Sequence, residues 1–174
     1  MRTELLRRWA ALGGAIVLAL MATACSDGDD TRTVEAVDYR FENLPESVDA
    51  GTTLKLDNKS DKELHEMVLI RIPDSERRPI GDLVRLPEAE LDALFAGEPA
   101  IVLLATPNGG EQINAVGDGK LTEKGRYAVI CAIPTGADPG AYLSAAQAGG
   151  EGPPQVPGGP PHFTQGMFAE ITVK

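Results

Sequence analysis

From Val34 onward the chain alternates apolar and polar residues in short runs, the period of two that turns one face of a strand toward a core. Such runs fall at 34–41, 52–57, 65–72, 112–116, 119–122, 126–133 and 168–173, and each predicts a strand. Residues 100–105 (AIVLLA) are apolar throughout and fit a strand or a helix turn equally. Two stretches break the rhythm. In 77–97, Leu83, Leu86, Leu91, Leu94 and Phe95 recur at helical spacing, and Pro87 followed by Glu88 and Glu90 makes a first turn. A helix over 87–96, stopped by Gly97, follows from that. In 134–161 glycine and proline dominate. There Asp138-Pro139 caps a short helix over 141–148, ended by Gly149-Gly150, and 152–161 (GPPQVPGGPP) predicts an exposed loop. No internal repeat is present. Many short strands with Gly/Pro turns predict an all-β Greek-key sandwich with one inserted helix and a long Gly/Pro-rich loop.

The first 24 residues stand apart. Arg2, Arg7 and Arg8 form a basic start, and 9–22 is an apolar stretch too short for a comfortable membrane span. Ala22-Thr23-Ala24-Cys25 then resembles the lipobox of bacterial lipoproteins, in which cleavage leaves the cysteine first in the chain, carrying lipid. The rival reading is an ordinary cleavable signal beside an incidental cysteine. The expected organisation is a leader over 1–24, a polar tether over 25–33 anchored through a lipidated Cys25, and one domain over 34–174. A lipid on Cys25 would hold that domain at the outer face of a membrane, on the periplasmic or cell-surface side.

Charge narrows the partners. Of the formal −10 of the 174 residues, the leader contributes three arginines and one glutamate, so residues 25–174 carry −12. Such a surface repels nucleic acid and anionic headgroups and favours solubility or a cationic partner. Cysteine use is more pointed. There are two, Cys25 and Cys131, and if Cys25 is acylated then Cys131 has no disulfide partner. An unpaired thiol in an oxidising compartment is explained by burial or by metal ligation.

The chain has only two histidines, His65 and His162. Alone, His65 at a strand start is an ordinary satisfied histidine, His162 in a proline-rich loop an exposed one, and Met167 a core residue. Together with Cys131 they match the donor set of a copper site, two imidazoles and a thiolate with a weak axial thioether. Tyr127 to Cys131 is a strand ending in a thiol, and Met167 lies five positions after His162 at the start of the last strand. A Cys–His nucleophile pair lacks any sign of an oriented base. No phosphate-binding glycine loop and no CxxC zinc pair occur, so an enzyme is not expected.

The residues 51–58 (GTTLKLDN) followed by His65, then 125–131 (GRYAVIC), then 162–167 (HFTQGM) with 169–173 (AEITV), resemble the cupredoxins, the plastocyanin and azurin superfamily. That resemblance implies a cupredoxin-like sandwich holding one copper ion, Cu(I)/Cu(II), with His65, Cys131 and His162 as strong ligands and Met167 as the axial one. It also implies a later histidine near the surface. His162 with Pro160, Pro161 and Phe163 would then form an uncharged docking patch for a redox or copper-exchange partner, unless the Gly/Pro loop folds over His162 and closes it, which favours a carrier or buffer. Two departures stand out. The cysteine and second histidine lie 31 positions apart rather than a few, and Glu66 follows the first histidine where the family often has Asn. Strand alternation turns Glu66 away from the site. The resulting first reading is a blue-copper electron-transfer lipoprotein. Its rivals are an extracytoplasmic copper carrier or buffer and a metal-free structural module.

Overall fold

The computed structural model describes residues 30–149 and 152–174, so the leader, Cys25, most of the tether and Gly150 lie outside the described residues. Two β-sheets face each other across one core. The small sheet has the order β2-β1-β4, from β1 (Thr31–Val37), β2 (Arg40–Glu42) and β4 (Thr53–Asn58). The large sheet has the order β3-β9-β8-β5-β6-β7, from β3 (Ser47–Val48), β5 (His65–Arg71), β6 (Ile101–Ala105), β7 (Gln112–Val116), β8 (Gly125–Ile130) and β9 (Phe168–Val173). Strands β5, β6 and β7 are consecutive neighbours, and β8 returns to lie beside β5, which is the Greek-key order.

The alternation seen in the sequence is what separates the faces. In β4, Leu54, Leu56 and Asn58 are buried while Thr53, Lys55 and Asp57 point outward. Val34 and Ala36 of β1 join Leu54 and Leu56 against Met67 and Leu69 of β5, Leu103 of β6, Val129 of β8 and Ile171 of β9. Full burial of one such Leu or Met is worth about 1.5–3 kcal/mol. Strands β5 and β8 occupy the middle of the large sheet and are covered on both faces, which accounts for their nearly unbroken apolar runs.

Several boundaries differ from expectation. The run 34–41 is two strands, because the chain reverses at Asp38-Tyr39 and pairs Ala36 with Phe41. Neither Gly nor Pro marks that turn, so the alternation runs through it. Strand β1 starts at Thr31, so 31–33 belong to the sheet rather than to the tether. Residues 119–122 make only a one-residue bridge, Thr53 to Lys120. Gly119 has φ +88°, and a Cβ there would sit 2.6 Å from the Leu54 carbonyl oxygen, so the backbone approaches β4 without joining a ladder. Residues 101–105 are a strand, β6.

The segment between β5 and β6 carries two short helices, α1 (Ile80–Leu83) and α2 (Glu88–Leu94), where one was expected. Ile80 and Leu83 pack with Ile72 and Ala128 on the outer face of the large sheet. The second long segment carries α3 (Pro139–Ala148), with Asp138 Oδ1 accepting from the Ala141 N–H at 2.7 Å and Pro139 in the first turn, as the sequence predicted. Among the described residues no helix is long and apolar enough to cross a membrane.

Candidate metal centre

Beyond Ile130 the chain keeps its antiparallel partner, which brings distant residues to one place. Cys131 accepts at its carbonyl from the Phe163 N–H (2.8 Å), Ile133 accepts from the His162 N–H (3.0 Å), and the Thr135 N–H donates to the Pro160 carbonyl (3.1 Å). The long segment therefore leaves and returns through a zipped neck. Its 31-position detour is closed by backbone hydrogen bonds, and loop closure itself grows only by about 0.6 kcal/mol per doubling of length. His162 opens a single 3-10 turn, His162–Gln165, at the return. The Met167 N–H then donates to the His162 carbonyl (3.1 Å), and the Cys131 N–H donates to the Met167 carbonyl (3.2 Å). Met167 so lies directly ahead of β9 and one backbone bond from the thiol residue.

His65, at the first position of β5, meets this end of the sandwich from the neighbouring strand. Its Nδ1 is 3.2 Å from His162 Nδ1, which is 3.3 Å from Cys131 Sγ. The three donor atoms all lie within 4.8 Å of one another, and His65, Cys131, His162 and Met167 are each 0 % exposed. The Glu66 N–H points at Cys131 Sγ from 3.4 Å.

Burial sets the protonation of these groups. Desolvation holds His65 below its ordinary pKa, and desolvation followed by the neighbouring His65 takes His162 down to about 4. Both rings are therefore neutral near pH 7, the form that binds metal. Desolvation pushes the Cys131 thiol far up, with the charge of Glu66 adding to it. The thiol stays protonated until a cation takes the proton's place, which is the usual exchange at a thiolate site. Two imidazole nitrogens and a soft sulfur in a dry pocket fit copper, which takes that combination with an optional weak thioether.

The surroundings hold four residues that the sequence did not single out as partners of the site. The β1–β2 turn delivers Asp38, whose Oδ1 is 3.0 Å from His65 Nε2, and Tyr39, whose ring centroid lies 4.8 Å from that of His162. Glu63, just ahead of β5, places Oε2 at 3.5 Å from His162 Nε2. Tyr142 on α3 donates its hydroxyl to Glu66 Oε2 at 3.0 Å. A strand turn without Gly or Pro and a helix inside a proline-rich segment gave no hint of these contacts. The one available signal was the placement of carboxylates two positions and one position on either side of His65.

Glu66 is not one of the three clustered donors, but its buried carboxylate lies beside the thiol residue and is not idle there. It is 3 % exposed, its Oε1 accepts from the Ala132 N–H at 3.0 Å, and burial raises its pKa to about 7. It thus ties the residue after Cys131 and the helix α3 to strand β5. One expectation fails. His162 is fully buried beneath Tyr39 and the neck of the long segment, so it cannot form the exposed docking patch with Pro160, Pro161 and Phe163. A histidine beside prolines looks solvent-exposed in sequence, and only the zipped neck reverses that.

No protein-family model matches the chain, and no curated protein matches it significantly. Solved structures to which the chain is similar include three auracyanins. The dithionite-reduced auracyanin of the photosynthetic bacterium Roseiflexus castenholzii is 17 % identical with a TM-score of 0.46, covering 83 % of this chain and 96 % of its own. Auracyanin A, a blue copper protein of Chloroflexus aurantiacus, is 18 % identical with a TM-score of 0.44, covering 83 % and 98 %. Auracyanin B is 17 % identical with a TM-score of 0.35, covering 83 % and 88 %. All three scores fall below 0.5, so the case for a metal rests on the donor set itself: this is an all-β, two-sheet protein with a buried His–Cys–His cluster at one end.

Proposed function

We propose that this protein binds one copper ion through His65, Cys131 and His162, with Met167 as a weak axial ligand, and passes single electrons between Cu(I) and Cu(II) rather than catalysing a reaction. The observation that carries this reading is the convergence of two neutral imidazole nitrogens and one thiol sulfur within 4.8 Å in a fully buried pocket. When bound, copper supplies a one-electron couple; the protein supplies a fixed, water-free ligand cage that changes little between the two charge states. The domain would stand at the outer face of a membrane on a lipidated Cys25, a reading supported by the leader and the residues before that cysteine. Its acidic surface suits a cationic partner.

A second reading is favoured by the burial of His162. With no ligand edge at the surface, a carrier or buffer that holds copper without redox turnover fits the closed site equally well as a class.

The test starts with protein extracted from membranes, whose intact mass reads the modification of Cys25, and continues with Cu(II) titration under a visible spectrum and metal analysis. One equivalent of copper with an intense thiolate-to-copper band is expected, lost in Cys131→Ser. An unmodified Cys25 overturns the anchor. Unchanged Cu(II) affinity and spectrum in Cys131→Ser overturn the site, and failure to re-reduce and re-oxidise with copper retained leaves the carrier reading in its place.

A further inference from the structure

Both candidate ligand histidines turn their outer nitrogen toward a carboxylate, but the two contacts differ. His65 Nε2 sits 3.0 Å from Asp38 Oδ1, a hydrogen bond. His162 Nε2 sits 3.5 Å from Glu63 Oε2 and has no hydrogen-bond partner; among the described residues it is the one buried side-chain nitrogen or oxygen in that position. A buried orphan of this kind calls for a cause.

The cause lies on the other side of the rings. The two Nδ1 atoms are 3.2 Å apart, so without a metal one ring donates there and the other accepts. If His65 keeps its proton on Nε2 for Asp38, its Nδ1 accepts, and His162 must carry its proton on Nδ1. That leaves His162 Nε2 as a bare lone pair facing a carboxylate, which explains the 3.5 Å gap. Were His65 and His162 to hold a metal through the Nδ1 atoms that meet beside Cys131, His162 would give up its Nδ1 proton and take one from solvent at Nε2, staying neutral, and the Cys131 thiol proton would go to solvent. The new Nε2–H then points at Glu63.

Glu63 is already fixed for that role. Its Oε1 accepts from the Tyr39 hydroxyl at 3.4 Å, and its Oε2 accepts from the Gly136 N–H at 3.1 Å, within the long segment that covers His162. We propose that Glu63 is a positioning residue of the metal centre: it takes the Nε2–H of His162 in the loaded state and, through Gly136, latches the 132–161 segment over that ring. Carboxylates behind metal-bound histidines fix tautomer and ring orientation and raise ligand basicity. A negative charge there also favours the more highly charged Cu(II) over Cu(I).

This inference rests on the copper reading, and the experiment separates the two. Glu63→Gln keeps the size of the side chain and removes its charge. Measured on the full chain with Cu(II) and Cu(I) alone, it should weaken Cu(II) by about 10–100-fold and Cu(I) less. A tenfold difference between the two raises the reduction potential by about 59 mV. Thermal unfolding of the metal-free variant should fall only by the one of the two bonds, from Tyr39 or Gly136, that an amide oxygen cannot keep, and by less than the loss in the loaded protein. In the Cu(I) wild type, NMR should show the His162 Nε2 proton shifted downfield by a carboxylate acceptor, a shift lost in Glu63→Gln. Unchanged affinities and potential in Glu63→Gln, or a metal-free destabilisation as large as the loaded one, overturn the role of Glu63 while the copper reading stands. Should Glu63→Gln not fold, the wild-type NMR decides, and a His162 Nε2 proton without that downfield shift in the Cu(I) protein overturns the role of Glu63. A wild type that takes up no copper overturns both.

Discussion

The segment between β5 and β6 and the segment between Cys131 and His162 both leave the β frame for about thirty residues, and both carry helix. They do different work. The first lies on the outer face of the large sheet, where α1 buries Ile80 and Leu83 and α2 buries nothing fully. The second is zipped at its neck, hands the Tyr142 hydroxyl and the Ala132 N–H to Glu66, and hands the Gly136 N–H to Glu63. Helix content and length are alike. What separates the two is whether the segment satisfies polar groups buried behind the candidate ligands. An insert becomes part of a site when a buried carboxylate such as Glu66 would be left unpaired without it.

The largest test of that contrast removes one side chain from each segment. Tyr142→Ala opens a cavity and strips a buried carboxylate of a donor, and should cost about 3–5 kcal/mol and perturb the copper spectrum. Leu91→Ala on α2, where no residue is fully buried, should cost less than about 1 kcal/mol and leave the spectrum alone. Chemical denaturation of both variants, metal-free and loaded, reads the difference; equal costs would erase the distinction between the segments.

Acid sharpens it next. The unfolded chain protonates His162 near 6.5, while the folded ring resists until about 4, so the metal-free domain loses stability as pH falls through that window, by roughly 3 kcal/mol at about 1.36 kcal/mol per pH unit. The depressed pKa of His65 acts in the same direction. Glu66 opposes them: its folded carboxyl keeps a proton up to about 7 and its unfolded one only to about 4.5, so its contribution is present at low pH and lost as pH rises through 7. Glu66→Gln should therefore steepen the acid loss in denaturation curves taken at half-unit steps from pH 7.5 to 4. A curve as shallow as wild type would mean that Glu66 is ionised in the folded protein.

The smallest effect compares two glycines. A Cβ on Gly158 would meet the Pro134 Cβ at 2.5 Å in the neck, whereas a Cβ on Gly97 has nothing within 4 Å. Gly158→Ala should cost about 1–3 kcal/mol by overpacking. Gly97→Ala should be neutral or stabilise by about 0.4–1 kcal/mol through the unfolded state. Melting curves of the two variants measure this, and a neutral Gly158→Ala would show a neck that yields.

The strands were legible where alternation had a boundary. Residues 168–173 were read to the residue, because the apolar and polar alternation begins and ends with them. The strand pair at 31–42 was misread because a turn without Gly or Pro leaves the alternation intact, and β3 escaped notice because two residues carry no period. In the candidate site, His65, Cys131 and His162 were legible because donor type and order are properties of residues. Asp38, Tyr39, Glu63 and Tyr142 were not, because they reach the site through a turn and a helix whose partners are set elsewhere in the chain.

By itself the amino-acid sequence determined the two-sheet β frame, the helix cap at Asp138-Pro139 and the inventory of soft and imidazole donors, since local period, capping and side-chain chemistry need no distant partner. Only the tertiary structure decided that His162 is buried, that Glu66 and Glu63 hold the long segment down, and that one ring nitrogen faces a carboxylate without a hydrogen bond. Those are matters of which groups lose water together, and desolvation depends on residues tens of positions apart arriving in the same place.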